Sequence, residues 1–341
     1  MLRNWFQINR ELSSRKKTVV TIWSFLIPML LWCAISYIPA LWHPNISIEK
    51  PGESFLFEEG QIVSKEDFEL EVAKLQESGK ELPVGSPSNP VYLPAPHEVG
   101  QAFYTSFTTK PKRRGEPWLH ESLLHSISIV FQAFLFSSLI GIPLGILAGT
   151  FGFFSRLIEP FVEFFRYLPA PAFGALCVAI FGINDAPKVA IIVIGTLFQQ
   201  ILIVSTTIRS VQSSLLEAAQ TLGAKTNQLV TRIILPATLP RLYKDQRILL
   251  GWAWTYLIVA EVVGASSGIT WFINQQAKYR LYDNVFAAII MIGVIGLLTD
   301  VILAFFGKLL FSWEDTSPSP FILKLKAAYR WFFLEKKTFF G

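Results

Sequence analysis

Ser214-Leu215-Leu216-Glu217-Ala218-Ala219-Gln220-Thr221-Leu222-Gly223, followed after nine residues by Ile233-Ile234-Leu235-Pro236, is the polar stretch on which the reading of this chain turns. Ser214 and Glu217 stand three residues apart ahead of an apolar run. At that spacing a hydroxyl and a carboxylate can close the free N–H groups of a helix start. Leu215, Leu216, Ala218, Ala219 and Leu222 then share one apolar face with small residues, and Gly223 suits the left-handed position that ends a helix. A second helix from about Thr226 places Leu229, Val230, Ile233 and Ile234 on one side, and Pro236, lacking an N–H, is expected to end or kink it. The pattern predicts a helix–Gly–helix knob with small side chains, a shape that a partner's groove can accept closely.

The sequence around the knob sets the class. Of 341 residues, 52% are apolar and only 16% are Asp, Glu, Lys or Arg, where an ordinary soluble domain carries about 25% charged residues. The deficit is concentrated in charge-free blocks at 18–48, 122–155, 167–184, 189–208, 248–260 and 284–299. A helix crossing a bilayer needs about 20 mostly apolar residues, and most of these blocks meet or approach that length. The composition excludes disorder, a collagen-like fibre and a secreted disulfide scaffold. The expected fold is an all-α polytopic membrane protein of about six transmembrane helices, at roughly 18–42, 122–148, 166–182, 188–208, 248–266 and 285–307. Cys33 and Cys177 fall inside apolar blocks and read as small hydrophobes.

Orientation follows from Lys and Arg in the short loops. With the N-terminus in the cytoplasm, the inner segments hold 19 basic residues and the short outer loops hold three, Lys188, Lys278 and Arg280. Both termini are therefore expected in the cytoplasm. The formal charge of +5 reads as a topology signal, and no nucleic-acid partner is expected. The basic N-terminal run precedes an apolar stretch longer than a signal h-region, so it is expected to stay as a helix. The resulting organisation is a cytoplasmic N-terminus at 1–17, a first span at 18–42, an extracytoplasmic segment at 43–121, a five-helix core at 122–310 with the cytoplasmic loop 209–247, and a tail at 311–341. The outer segment carries 13 acidic and eight basic residues. Within it Ser64-Lys65-Glu66-Asp67 predicts a helix start, Phe68, Val72 and Leu75 repeat at helical spacing, and Gly79 offers a stop. The prolines from Pro83 to Pro96 predict an extended return. In the tail, Phe321, Ile322, Leu325, Ala328, Trp331 and Phe332 alternate with Lys324, Lys326 and Arg330, as in a helix lying in the inner headgroup layer of the lipid membrane.

Glu217-Ala218-Ala219, three residues, Gly223, nine residues, then Ile233-x-Leu235-Pro236 resembles the EAA loop of bacterial ABC importer permeases, in a cytoplasmic loop between spans four and five. Leu93-Pro94-Ala95-Pro96 with Val99, Ser122-Leu123 with Ser126, Gly141-Ile142-Pro143-Leu144-Gly145, Pro160, Arg166-Tyr167-Leu168-Pro169, Phe181-Gly182-Ile183, Gly251-x-Ala253-Trp254 and Ala260-Glu261 are similar to the nitrate/taurine/sulfonate/bicarbonate branch. Two departures stand out. Asp245-Gln246-Arg247 replaces a common Gly before the Arg that opens span five, and the outer segment from about residue 43 to 91 looks inserted. The resemblance implies a type I importer permease fold and an alternating-access path for a small oxyanion or sulfonate. It also implies two ABC ATPase subunits, a second permease copy or homologue, and an extracytoplasmic substrate-binding protein. It makes Glu217, Ala218, Ala219, Gly223, Ile233, Leu235 and Pro236 the coupling residues.

No G-x-x-x-x-G-K-[ST] phosphate cradle occurs in the chain, so ATP is expected on the partner subunit, with no cofactor here and no enzymatic activity of its own. Candidate pathway or gate residues are Arg166, Pro169, Gln199, Gln200 and Glu261. Intramembrane charge is a functional suspect, and Glu261 could line the path or make a packing or gate hydrogen bond. Gln199 and Gln200 could line a polar path or hold helices together. Asp300, near the inner end, is expected to pair. No Lys or Arg is placed near the membrane centre, which suggests a weakly binding channel with specificity held by the external binding protein. An intramembrane enzyme would need a catalytic cluster at bilayer depth, and all four histidines (His43, His97, His120, His125) lie in or beside the outer segment. The other alternative, an ATPase-independent transporter or scaffold, does not explain the loop.

Overall fold

A computed structural model describes residues 13–38, 41–90, 92–111, 117–263, 267–311 and 313. The tail from 314 onward and the first twelve residues lie outside the described residues, as does the expected headgroup helix. The chain divides into two compact units, one formed by the described residues up to Trp118 with Ile273–Ile289, the other by Leu119–Phe272 with the described residues from Ile290 on.

The larger unit is helical. It contains α4 (Leu119–Thr150), α5 (Gly152–Phe165), α6 (Gly174–Phe181), α7 (Ala186–Arg209), α8 (Ser213–Thr221), α9 (Thr226–Gln228) and α10 (Leu235–Val263). It also holds the start of α11 (Ile269–Lys278) and most of α12 (Tyr282–Leu310). Its centre is the packing of α4 on α7. A side-chain carbon placed on Gly141 would meet Gln200 at 2.9 Å, one on Gly145 would meet Val204 at 2.6 Å, and one on Gly149 would meet Ile208 at 2.6 Å. Glycines four apart on α4 thus face residues four apart on α7. Removing the side chain lets two helix backbones approach closely where the lipid supplies no hydrophobic drive for association.

Among the described residues four helices are long and apolar enough to cross a membrane: α1 (Ser14–Tyr37, its apolar part Arg15–Tyr37), α4, α7 and α12. The expected third span, 166–182, is corrected. Its block is the second arm of a pair, α5 and the segment Ala170–Phe181, bent by 84°. Arg166 to Pro169 form the break, because Pro169 and Pro171 remove N–H donors and a 3-10 turn (Ala170–Phe173) takes over. The helix of the expected fifth span begins ahead of it: α10 runs unbroken from Leu235, and Arg241, Lys244, Asp245 and Arg247 precede its apolar stretch. Outward-facing Phe131, Phe136, Leu139, Leu297 and Val301 are exposed, an apolar surface that a lipid phase would cover.

In the smaller unit the first helix, α1, runs from Ser14 to Tyr37, ending before residue 42. It is followed by β1 (Asn45–Lys50), β2 (Ile62–Ser64), α2 (Lys65–Glu77), β3 (Val84–Ser88) and α3 (Pro96–Thr108). The strands form an antiparallel sheet of order β2-β1-β3, beyond the all-α fold expected from the sequence. The expected helix at Ser64 is present: the Asp67 N–H donates to Ser64 Oγ at 3.0 Å, and Gly79 has φ +66. The proline-rich return is extended only through β3. Pro96 then opens α3, where its fixed φ suits a first-turn position, and the Ala95 N–H donates to Glu98 Oε2 at 2.7 Å. Val99 and Ala102 of α3 pack on Ala287 of α12. Trp32 stacks on Phe286 with ring centroids 5.7 Å apart, and its indole N–H donates to the Pro94 carbonyl at 3.1 Å.

Candidate functional site: an exposed knob and its anchors

The knob folds as two helical pieces around Gly223. Helix α8 is capped by Gln212, with no side-chain cap bond. Ser214 therefore does not start it, because helix has already begun at Ser213. The end is a Schellman motif: the Gly223 N–H donates to the Gln220 carbonyl at 2.9 Å and the Ala224 N–H to the Ala219 carbonyl at 3.0 Å. Gly223 sits at φ +81, a conformation that costs about 1–2 kcal/mol with a side chain. The chain then restarts at α9, where the Lys225 N–H donates to Gln228 Oε1 at 2.8 Å.

Pro236 neither ends nor kinks this second piece into a stop. A π turn (Leu229–Ile234) follows α9 and passes directly into α10. The π turn changes the hydrogen-bond register, and Pro236 then occupies the second residue of an α segment, where a missing N–H is tolerated.

One side of the knob is anchored and the other is bare. Leu216 and Leu235 pack on the cluster of Val204, Ile208, Ile234 and Leu242, so α7 and α10 hold the base. Glu217, Ala218, Gly223 and Pro236 are exposed, and Ala219 and Ile233 are half-buried. Leu222 is 88% exposed. Beneath α8 a cleft of about 230 Å³ is lined by Ser210, Val211, Leu215, Thr238 and Arg241 among others. An exposed leucine beside small residues, over a cleft, on a rigid base is a docking shape.

Polar ties stiffen that base. Arg209, the last residue of α7, pairs with Glu159 of α5 and donates to the Ala148 carbonyl and Ser155 Oγ, each at 3.0 Å. Ser205 Oγ donates to Glu159 at 2.7 Å. Thr207 Oγ1 donates to Asp245 at 2.5 Å, so the departure at Asp245-Gln246-Arg247 supplies a helix–helix tie. Asp300 pairs as expected: Arg247 donates through one nitrogen to both its oxygens, at 2.8 and 2.9 Å.

The pathway candidates fall into three separate groups. Gln200 is fully buried, accepts from Ser137 Oγ at 2.7 Å, donates to Ser138 Oγ at 2.9 Å and bonds to Gln246. It links α4, α7 and α10, a helix-holding contact. Gln199 is half-buried on the neighbouring face. Glu261 is fully buried. Ser126 donates to one carboxylate oxygen and the Thr270 N–H donates to the other at 2.7 Å, while the Ile269 N–H donates to Ser126 Oγ at 2.8 Å. The carboxylate thus caps the N-terminus of α11, where anionic groups are favoured. Gly268, at φ +102, leaves no room for a side chain beside it. Arg166 and Pro169 are exposed at the α5–α6 bend, with Arg166 over the Tyr167 ring at 4.7 Å. No hydrogen bond joins these three groups among the described residues.

Lys188, expected in a short outer loop, lies fully buried in the first turn of α7. Its ammonium donates to Asp185 Oδ1 at 2.8 Å and Ser267 Oγ at 2.7 Å, and His125 Nε2 lies 3.1 Å from Asp185. Burial raises the Asp185 pKa, but the Lys188 hydrogen bond and charge, with His125, outweigh it and leave the carboxyl below its ordinary value. The sequence signal that could have found this cluster was Asp185 and Lys188 three apart at a helix start.

The family model for the binding-protein-dependent transport system inner membrane component matches residues 141–311. The chain belongs to this family. It is a permease subunit of an ABC transporter. A probable ABC transporter permease protein of Brucella abortus is 32% identical over 190 residues, 56% of this chain and 76% of that one. The taurine transport system permease protein of Escherichia coli is 29% identical over 226 residues, 66% and 82% of the two chains. The bicarbonate transport system permease protein of Synechococcus elongatus is 27% identical over 176 residues, 51% and 63% of the two chains. The matched region of the permease holds the α4–α7 packing from Gly141 on, the bend and the knob.

Proposed function

We propose that this permease forms the alternating-access path for a small oxyanion or sulfonate, of the nitrate, bicarbonate, taurine or alkanesulfonate type, in a bacterial inner membrane. ATP is bound and hydrolysed by two separate ATPase subunits, so the chain itself is not an enzyme and carries no cofactor. A second permease copy or homologue completes the path, and an extracytoplasmic binding protein delivers the solute. Both termini face the cytoplasm. The observation that carries the reading is the knob: Glu217, Ala218 and Gly223 are bare on a base that α7 and α10 hold rigidly. On this reading ATPase closure pushes the knob, and Ile233, Leu235 and Pro236 pass the displacement into α10. Glu261 and Gln200 then act as helix ties that move with the spans, and Arg166, Pro169 and Gln199 remain candidates for the path surface. The choice of anion rests on the taurine and bicarbonate relatives.

The test is reconstitution with the cognate ATPase and binding protein. Nothing lies within 4 Å of a side-chain carbon placed on Gly223, so Gly223→Asp and Gly223→Val have room within the subunit. They should insert normally yet lose solute-stimulated ATP hydrolysis and uptake, whereas Gly223→Asn, which tolerates the left-handed conformation, should lose less. Normal uptake by the valine variant would overturn the assignment. Failure of labelled taurine, an alkanesulfonate, nitrate and bicarbonate alike to accumulate would overturn the substrate class.

A further inference from the structure

Between α3 and the start of α12, within the smaller unit, lies an open cavity of about 430 Å³, within the usual size range of small-ligand sites. Its lining carries one cation, Arg280, and two carboxylates, Glu98 and Asp283, with Gln101, Thr105 and Asn89. Among the described residues no ion pair joins Arg280 to either acid. The Asn89 Oδ1 is buried and has no hydrogen-bond partner among them; a buried polar atom left so calls for an explanation.

Arg280 supplies the second observation. It is the one described non-glycine residue with positive φ, at +57. It ends α11 in the same motif that Gly223 completes after α8: the Arg280 N–H donates to the Ala277 carbonyl and the Leu281 N–H to the Gln276 carbonyl, each at 3.0 Å. That position strongly favours glycine. A side chain kept there against a backbone preference, and lining a cavity, points to a function for the side chain. The walls are fixed. Val99 and Ala102 of α3 pack on Ala287, Ser106 Oγ donates to Asn284 at 3.3 Å, and Asn284 donates to Gln276 at 3.1 Å.

We propose that this cavity binds a small zwitterion, a primary ammonium two or three bonds from a carboxylate or sulfonate. Arg280 takes the acidic group, for which the guanidinium fork is suited. Asp283 and Glu98 face the ammonium. Glu98 already holds the Ala95 N–H through Oε2, which leaves its other oxygen for the ligand. The inference is independent of the transported solute, since Arg280 belongs to neither the knob nor the candidate path.

The experiment is calorimetric titration of the full-length permease in lipid nanodiscs with β-alanine and taurine, and with propionate and ethylamine as the two halves of the zwitterion. At least one zwitterion should bind with Kd at or below about 1 mM, and both halves should bind at least tenfold more weakly. A preference between β-alanine and taurine names the acidic group, and either supports the site. Arg280→Gly relieves the backbone strain, so it should fold as well as the parent and still lose at least tenfold in affinity. Asp283→Asn should weaken zwitterion binding and leave propionate unchanged. The proposal fails if neither zwitterion binds, if ethylamine or propionate binds as tightly as the zwitterion, or if Arg280→Gly binds like the parent, which would place any binding along the path instead.

Discussion

Glu261 shows how a single residue can be legible in type and illegible in role. An acid at the edge of an apolar block is conspicuous, and the sequence leaves a path role and a packing or gate role open, with repulsion of an anionic solute favouring the latter. The partners that decide it, Ser126 and the Thr270 N–H, come from the N-terminal part of α4 and from the start of α11. Each buried group left unpaired costs about 1–3 kcal/mol. Glu261→Ala, which strands both donors, should lower the melting temperature of the detergent-solubilised protein clearly more than Glu261→Gln, which keeps an acceptor; equal losses would argue against the capping role. Asp185 makes a prediction in pH. Its carboxyl is held below the ordinary value in the folded protein, so the stabilisation of its contact with Lys188 is complete above about pH 4, near the unfolded value, and is lost as pH falls through the lower folded value. Amide exchange at Ser267 should therefore be flat from neutral pH to about 5 after correction for intrinsic rates, then rise in acid, and Asp185→Asn should remove that acid-induced rise. A rise centred near neutrality would contradict it.

At the level of elements, Gly141 and Gly145 of α4 belong to a short motif in the sequence, and Gly149 lies outside it. Their spacing of four became meaningful once α7 lay opposite, with Gln200, Val204 and Ile208 in the same rhythm. Gly145→Val would drive a side chain into Val204, a kind of overpacking that typically costs about 1–3 kcal/mol. It should reduce the yield of monodisperse protein, while Gly152→Ala, where nothing lies within 4 Å, should not. Equal yields would mean that the two helices separate easily. The two misjudged elements have physical causes. The block at 166–182 is apolar enough to span, but periodicity carries no information on an 84° break; only Pro169 and Pro171 hinted at it. Pro236 looked like a stop because a π turn, which realigns the register ahead of it, has no sequence signature.

The whole molecule joins a helical core to a smaller unit holding a three-stranded sheet. The sheet went unread because its strands are short and interrupted by Pro87 and Gly85, so no clean alternation survives. With both termini inside, a cysteine at Leu222→Cys should react with a membrane-impermeant thiol reagent only from the cytoplasmic side, and one at Ser54→Cys only from outside, in a background lacking Cys33 and Cys177. The reverse pattern would invert the topology and move the knob away from any cytoplasmic ATPase.

Charge-free blocks, the spacing of Glu217, Ala218, Ala219 and Gly223, and the side bias of Lys and Arg made class, family resemblance and expected orientation readable from the chain alone, because each depends on local composition or short-range spacing. Tertiary structure decided the rest: that Gln200 and Asp245 tie helices, that Glu261 caps α11, that Lys188 is buried, and that Arg280 and Asp283 share a cavity with Asn89. Those facts depend on which residues, distant along the chain, meet when helices pack, and no one-dimensional pattern encodes that meeting.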